Sequence, residues 1–255
     1  MTKRKNSPVS IITICFNDRI NLQKTISSIK HLKLFFEVEF IIVDGGSSDG
    51  TIDIIDLSEE VVDVFISESD DGIGDAWNKG IELANNEIIG LLNAGDSYTF
   101  EFFERSIQKL LEYGDVVTFG NTVRELNGTL VGSSNGSYDV RLFHHGFKFY
   151  HPSCLTTMNV YNTVGRFNTA VTIAVDTDWL VRAIVKGVPF HHVCGFVIMD
   201  ASGVSSINKK EAHWEFLARL EFHGVNKLKI FQSKLRYYCL GFINKMITKV
   251  RRCMR

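Results

Sequence analysis

No stretch of this 255-residue chain approaches the ~18 consecutive apolar residues that a membrane-spanning helix needs, so an integral membrane fold is not expected. Its five cysteines, Cys15, Cys154, Cys194, Cys239 and Cys253, are odd in number, widely spaced and form no C-x-x-C pair. That argues against a zinc site or a disulfide framework and suits a reducing compartment. Met1 to Pro8 is basic and polar and runs straight into a short apolar strand, so no secretory leader is expected and the chain reads as cytoplasmic. A Gly-rich phosphate turn is missing as well. The first strand ends in Cys15-Phe16-Asn17-Asp18, without glycine, and no Walker A sequence occurs. NAD-type dinucleotide binding and nucleotidyl transfer both lose their phosphate grip. Acidic residues are absent after Glu221, a lack that becomes informative below.

What is present is the composition of an ordinary globular protein, 45% hydrophobic and 22% charged with a formal net charge of -1. The near-zero charge conceals an asymmetry. Nine Lys or Arg follow Glu221, so of 28 basic and 29 acidic residues the first 221 positions hold 19 and 29, a net of -10. An acidic body with a basic tail speaks against nucleic acid as a partner. Residues 227 to 255 interleave those charges with Leu228, Phe231, Leu235, Tyr238 and Phe242, which predicts basic amphipathic helices lying on an anionic membrane surface. The plainer alternative is a helix packed on the body with a solvated basic face.

The first half alternates strand-like and helix-like segments. Strands are expected at Val9–Cys15, Val38–Val43, Val61–Ile66, Glu87–Leu92 and Val116–Phe119, with helices at Arg19–His31, Thr51–Leu57, Asp75–Ala84 and Phe100–Tyr113. Such repetition predicts an α/β fold with a mostly parallel sheet sandwiched by helices. The second half is less regular. Asn127-Gly128 signals a hairpin between Thr122–Leu126 and Thr129–Val131, and helices are expected at Asp176–Lys186, Lys209–Phe222 and over much of Leu228–Val250. The organisation suggests a ligand-binding half over 1–120, a second half over 121–222 and a basic appendage over 223–255. Ligands of open parallel sheets bind beyond the carboxyl ends of the strands. Three loops there, Phe16-Asn17-Asp18, Asp44 to Asp49 and Asn93 to Asp96, are rich in carboxylates, which suits a ribose or base edge and a cation bridging a diphosphate.

In order and spacing, SIITICFN, IIVDGGSSDGT, DDGIGDAWNKGI and IIGLLNAGD resemble the family 2 glycosyltransferases of GT-A fold, in particular the bacterial branch that builds surface polysaccharides. The likeness continues through His151-Pro152-Ser153, Val164-Gly165-Arg166-Phe167, Val175-Asp176-Thr177-Asp178 with Arg182, and Gly203-Val204-Ser205, over roughly residues 9 to 220. The resemblance implies an inverting transfer from a nucleotide sugar, a UDP-sugar by expectation, to a glycan or lipid-linked acceptor, at the inner face of the cell membrane. It implies that Thr13, Phe16 and Asn17 lie along the nucleotide and that Asp44 accepts a hydrogen bond from the uracil or ribose, although an Asp here can simply pin a turn. Asp75, Asn78 and Lys79 would line the diphosphate or base, with a solvated helix lysine as the alternative for Lys79. Asn93, Ala94, Gly95 and Asp96 stand where relatives carry an Asp-x-Asp motif, leaving Asp96 as the carboxylate for Mg²⁺ or Mn²⁺. Asp176 matches the catalytic base, with Asp178 as its runner-up, and His151 matches a position near the acceptor cleft. Charge at a helix N-terminus is the alternative for both aspartates. A nucleotide-sugar-binding module without turnover is the competing functional class.

Overall fold

In the computed structural model the described residues are 7–202 and 209–239, so the remainder of the basic tail and the Gly203-Val204-Ser205 match lie outside them. Four parallel strands open the chain: β1 (Val9–Cys15), β2 (Val38–Asp44), β3 (Val64–Ser67) and β4 (Ile88–Asn93). They are joined by α1 (Arg19–Leu32), α2 (Thr51–Asp56) and α3 (Ile73–Leu83). The short β5 (Ser97–Tyr98), α4 (Phe100–Tyr113), β6 (Val117–Leu126) and β7 (Thr129–Ser134) follow. Then come β8 (Cys154–Thr157), α5 (Met158–Val164), α6 (Val175–Val185), β9 (Phe190–Asp200), α7 (Lys209–Phe222) and a terminal helix over 227–239.

The sheet has nine strands in the order β3-β2-β1-β4-β8-β6-β9-β5, with β7 paired to β6. Strand β8 runs antiparallel to both β4 and β6, while β6 and β9 are parallel. Most of the sheet is therefore parallel, as its alternating pattern predicts. The sheet is continuous through residue 120, which falls inside β6. Successive residues of a strand point to opposite faces, so two cores form. Val9 and Ile11 of β1 join Leu22, Ile29, Phe102 and Phe103 of α1 and α4 on one face. Ile12 of the same strand joins Trp77 and Ile81 of α3 and Val175 and Trp179 of α6 on the other. Gly80 lets α3 lie flat there, since a Cβ at this position would sit 2.3 Å from Ile12 Cγ2.

The Asn127-Gly128 hairpin is present, both residues having positive φ (51° and 74°) as a two-residue turn between twisted strands requires. Strands β5, β8 and β9 and helix α5 are additions to the sequence reading. Among the described residues no helix is long and apolar enough to cross a membrane.

Candidate active site

The register of the parallel strands brings their carboxyl ends to one edge: Cys15 pairs with Asp44, Asp44 with Ser67, and Ile14 with Asn93. Because β8 runs the other way, the turn His151–Ser153 that precedes it reaches the same edge. Helix α6 packs against α3 in the second core and carries Asp176 in its first turn. Gly74 permits that approach, as a Cβ there would meet Val175 Cγ1 at 3.3 Å.

The first loop is held by an exchange with the second. Asn17, at φ 49°, donates its N–H to Ser47 Oγ (2.7 Å) and accepts from the Ser48 N–H at its own Oδ1 (2.9 Å). This leaves Phe16 63% exposed beside Gly45, on the rim of the site. Thr13, expected along a nucleotide, is instead enclosed in β1 with its hydroxyl buried. Asp44 is fully buried too. It accepts from the Ser47 hydroxyl, the Ser47 N–H (2.8 Å), the Gly46 N–H (3.1 Å) and the Ser67 hydroxyl (2.6 Å). Burial alone would raise its pKa, but the Ser47 and Ser67 donors outweigh it and hold the carboxyl below the usual range. Asp44 thus pins the loop. Asp49, just outside α2, accepts from the N–H (3.0 Å) and the hydroxyl (2.5 Å) of Thr51, the first residue of that helix.

The segment entering α3 is likewise tied to itself. Lys79 Nζ contacts Asp70 (2.7 Å), Glu68 (2.9 Å) and Asp75 (3.2 Å) and donates to the Ser69 carbonyl (3.0 Å). It serves as a clamp on its own loop. The Asn78 amide spans to α6's side of the site, accepting from the Phe167 N–H (2.8 Å) and donating to its carbonyl (3.0 Å). Of this trio Asp75 remains partly exposed, with a carboxylate that also accepts from the Asp71 N–H (3.1 Å).

Asp96, expected as the metal ligand, is 2% exposed. Oδ1 accepts from the Asp200 N–H (2.9 Å), and Oδ2 from the Asn93 N–H (3.3 Å) and side-chain amide (3.2 Å). Burial pushes its pKa up to about 7 against the pull of these donors. Gly95 explains the closeness of β9: at φ 95°, a Cβ here would lie 2.9 Å from Asp200 Cβ. Asn93, Ala94 and Gly95 stay partly exposed at the edge, but none of them supplies a carboxylate. A hard divalent cation needs open anionic oxygens. No group of three His, Cys, Asp or Glu side chains able to hold a metal occurs among the described residues. The residues present do not fit the expected Mg²⁺ or Mn²⁺ at Asp96.

Asp178 is also a structural carboxylate. It is fully buried between Arg182 Nε (3.0 Å) and His223 Nε2 (2.8 Å), and Arg182 goes on to donate to the carbonyls of Val164 and Arg166. Asp176 differs. It is partly exposed at the start of α6; Oδ1 accepts from the neighbouring Thr177, while Oδ2 has no protein donor among the described residues. Below it lies His151, 4% exposed, its ring 5.5 Å from Phe167, 6.2 Å from Trp179 and 6.5 Å from Trp77 between centroids. Burial lowers the His151 pKa, and the Asp176 charge opposes that shift. Enclosed in this way, His151 lies beneath the site surface.

One contributor carries no sequence signal. Glu215 of α7 accepts from the Thr172 N–H (2.9 Å) and hydroxyl (3.1 Å), the Ile173 N–H (2.8 Å) and the Ala174 N–H (2.6 Å). Ala174, at the N-cap of α6, has no side chain to cap with, and a carboxylate from 41–43 residues downstream instead ties down the loop that enters the helix and the Ala174 N–H itself. Two adjacent histidine pairs pack rather than gather at the edge: His144 is buried against His145, and His192 meets the Asn121 amide (3.0 Å).

Comparison with known proteins accords with this architecture. The chain is 26% identical over 215 residues to the uncharacterized glycosyltransferase Rv1514c of Mycobacterium tuberculosis, covering 83% of this chain and 82% of the relative. It is 27% identical over 154 residues to the putative teichuronic acid biosynthesis glycosyltransferase TuaG of Bacillus subtilis, covering 59% and 61%. Among solved structures it resembles S. aureus TarS, with a TM-score of 0.64 at 14% identity, over 90% of this chain and 42% of that one. A mannosyltransferase from Pyrobaculum calidifontis, solved with GDP-Man and Mn²⁺, superposes with a TM-score of 0.59 at 14% identity, over 91% and 65%. These likenesses are of fold, and the fold is GT-A. The profile described as Glycosyl transferase family 2 matches residues 10–180, two thirds of the sequence, and the chain belongs to that family.

Proposed function

We propose that this glycosyltransferase moves a sugar from a nucleoside diphosphate sugar to a hydroxyl of a glycan or lipid-linked acceptor, inverting the anomeric centre, with Asp176 as general base. The observation that carries the assignment is the contrast among the aspartates of the edge. Asp44, Asp96 and Asp178 are buried and spent on protein donors, and the partly exposed Asp75 is paired with Lys79, whereas Asp176 is partly exposed with no donor to Oδ2 among the described residues. A base must reach the proton it takes.

In the proposed step the acceptor oxygen bonds to the anomeric carbon as its proton passes to Asp176. The bond to the diphosphate oxygen breaks, and its electron pair leaves with the nucleoside diphosphate. Phe16, exposed at the rim, offers its ring face to the base, and Asn17 and Gly45 shape the floor beside it. UDP is the favoured nucleotide, because TarS has been solved with UDP and with UDP-GlcNAc. A surface glycan is the favoured product, in line with the name of TuaG.

A screen of nucleotide sugars by thermal stabilisation identifies the donor, and radiolabelled transfer from it gives turnover. Asp176→Asn is expected to lower kcat by about a hundredfold or more while donor stabilisation persists, the range general-base loss produces. Transfer surviving within a few-fold in Asp176→Asn overturns the assignment.

A further inference from the structure

The terminal helix over 227–239 has two apolar faces, and among the described residues only one of them is covered. Ile230 and Ser233 are buried, with Ile230 in a cluster with Phe143, Phe216, Leu217 and Leu220. Tyr237 stacks on His213 of α7 at 4.0 Å between centroids. On the other face Leu228, Phe231, Leu235 and Tyr238 are 63%, 60%, 53% and 60% exposed. At ~100° per residue these four fall within an arc of roughly 80°, a continuous stripe. Lys227 and Lys234 border the stripe on one side, within about 40° of it, and the exposed Arg236 lies about 80° beyond its other edge, while Lys229 turns to the body, over the Phe143 ring at 5.8 Å. Trp214 of α7 stands 6.3 Å from Tyr238 between ring centroids and is 36% exposed, extending the stripe with an amphipathic aromatic.

We infer that this face docks in the headgroup region of an anionic lipid bilayer, the four apolar side chains entering the acyl boundary and the flanking cations meeting lipid phosphates. The charge pattern selects that occupant. A two-fold pairing of the helix with its own copy would set cation against cation, because no acidic residue follows Glu221. Bilayers with anionic lipid supply both components at once. The surface is independent of the transfer chemistry but bears on it, since α7 next to Trp214 carries Glu215, which holds the loop before Asp176. Docking here would set the acceptor side of the site close to the bilayer.

The test is co-sedimentation of the full chain with vesicles of phosphatidylcholine alone and of phosphatidylcholine mixed with phosphatidylglycerol. Sedimentation with the anionic vesicles only is expected, with a blue shift of Trp214 emission; Trp77 and Trp179 are buried and Trp214→Phe removes the shift. Phe231→Ser with Leu235→Ser should weaken partitioning at least about tenfold, while thermal unfolding stays close to the parent because both side chains are exposed. Lys227→Gln and Lys234→Gln should weaken it about fivefold each and reduce its salt sensitivity. Absence of vesicle binding overturns the inference. So does binding that the double serine variant retains, which assigns attachment to another part of the tail. A concentration-dependent dimer that Leu235→Ser dissolves assigns the stripe to self-association and overturns it as well.

Discussion

Truncating Glu215 tests whether the catalytic edge depends on a helix far from it in sequence. In Glu215→Ala the N–H groups of Thr172, Ile173 and Ala174 lose their acceptor together. Thr172 is exposed, so water replaces that bond at little cost, but Ile173 is half-buried and Ala174 buried. Each donor left unpaired away from water costs about 1–3 kcal/mol, and partial hydration of Ile173 brings the expected total to about 2–3 kcal/mol. For a chain of this size that is a Tm lower by roughly 4–12 °C. The same loss frees the entry to α6, whose first turn carries Asp176, and ~1 Å of misplacement lowers kcat by about a hundredfold. A fall in kcat of about ten- to a hundredfold is therefore expected, with donor KM within about twofold, because Glu215 approaches from the acceptor side. The pH dependence has a definite sign. Burial would raise the Glu215 pKa, but the hydrogen bonds from residues 172–174 win and hold it below its ordinary 4.5. Its contribution is full above 4.5 and disappears as pH falls through the folded value, so parent and variant should converge in acid. Urea unfolding across pH, with steady-state kinetics, measures all of this. An unfolding free energy within ~0.5 kcal/mol of the parent at neutral pH, or kcat unchanged, refutes the reasoning.

Asp178→Ala should cost about 3–5 kcal/mol by stranding the Arg182 guanidinium, with kcat of the folded fraction retained; lost turnover at unchanged stability would give Asp178 a chemical role instead. Because the Asp96 oxygens are spent on Asn93 and Asp200, the donor Kd from thermal shifts should change less than about twofold between Mn²⁺ and EDTA. A tenfold weakening in EDTA would restore a metal to this edge. Burial lowers the pKa values of His144, His145, His151 and His213, although Asp176 partly opposes this at His151. The unfolded chain then takes up protons that the fold refuses, so the urea midpoint should hold above about pH 6.5 and fall below it, and an acid-insensitive midpoint would contradict that burial. Gly80→Ala forces a methyl against Ile12 and should destabilise by about 1–3 kcal/mol in the same assay.

The regular half of the fold was legible because each element buries a face with its own period. Helix α4 runs over the expected Phe100–Tyr113, and β1 over Val9–Cys15. Strand β8 was not legible: Cys-Leu-Thr-Thr is four residues long, buried throughout, and lacks alternation. Strand β9 hides its period behind paired histidines and a glycine, and its pairing with β6 shifts register between Phe119 and Asn121.

The site divides along the same line. Motif order located the edge, but it could not say which carboxylates face outward, because that depends on partners remote in sequence. Ser67 turns Asp44 inward from 23 residues away, His223 holds Asp178 from 45, and the Asp200 N–H claims Asp96 from 104. A motif marks every residue the local architecture requires, and a pinned loop requires an aspartate as firmly as a reaction does. Accessibility separates the two roles. Asp176 meets both conditions, since it stands in register with the motif and keeps an oxygen clear of donors among the described residues. The same reasoning makes Glu215 part of the site's construction although it makes no contact at the site's surface: by holding the loop that enters α6 it fixes where the first turn, and with it Asp176, sits.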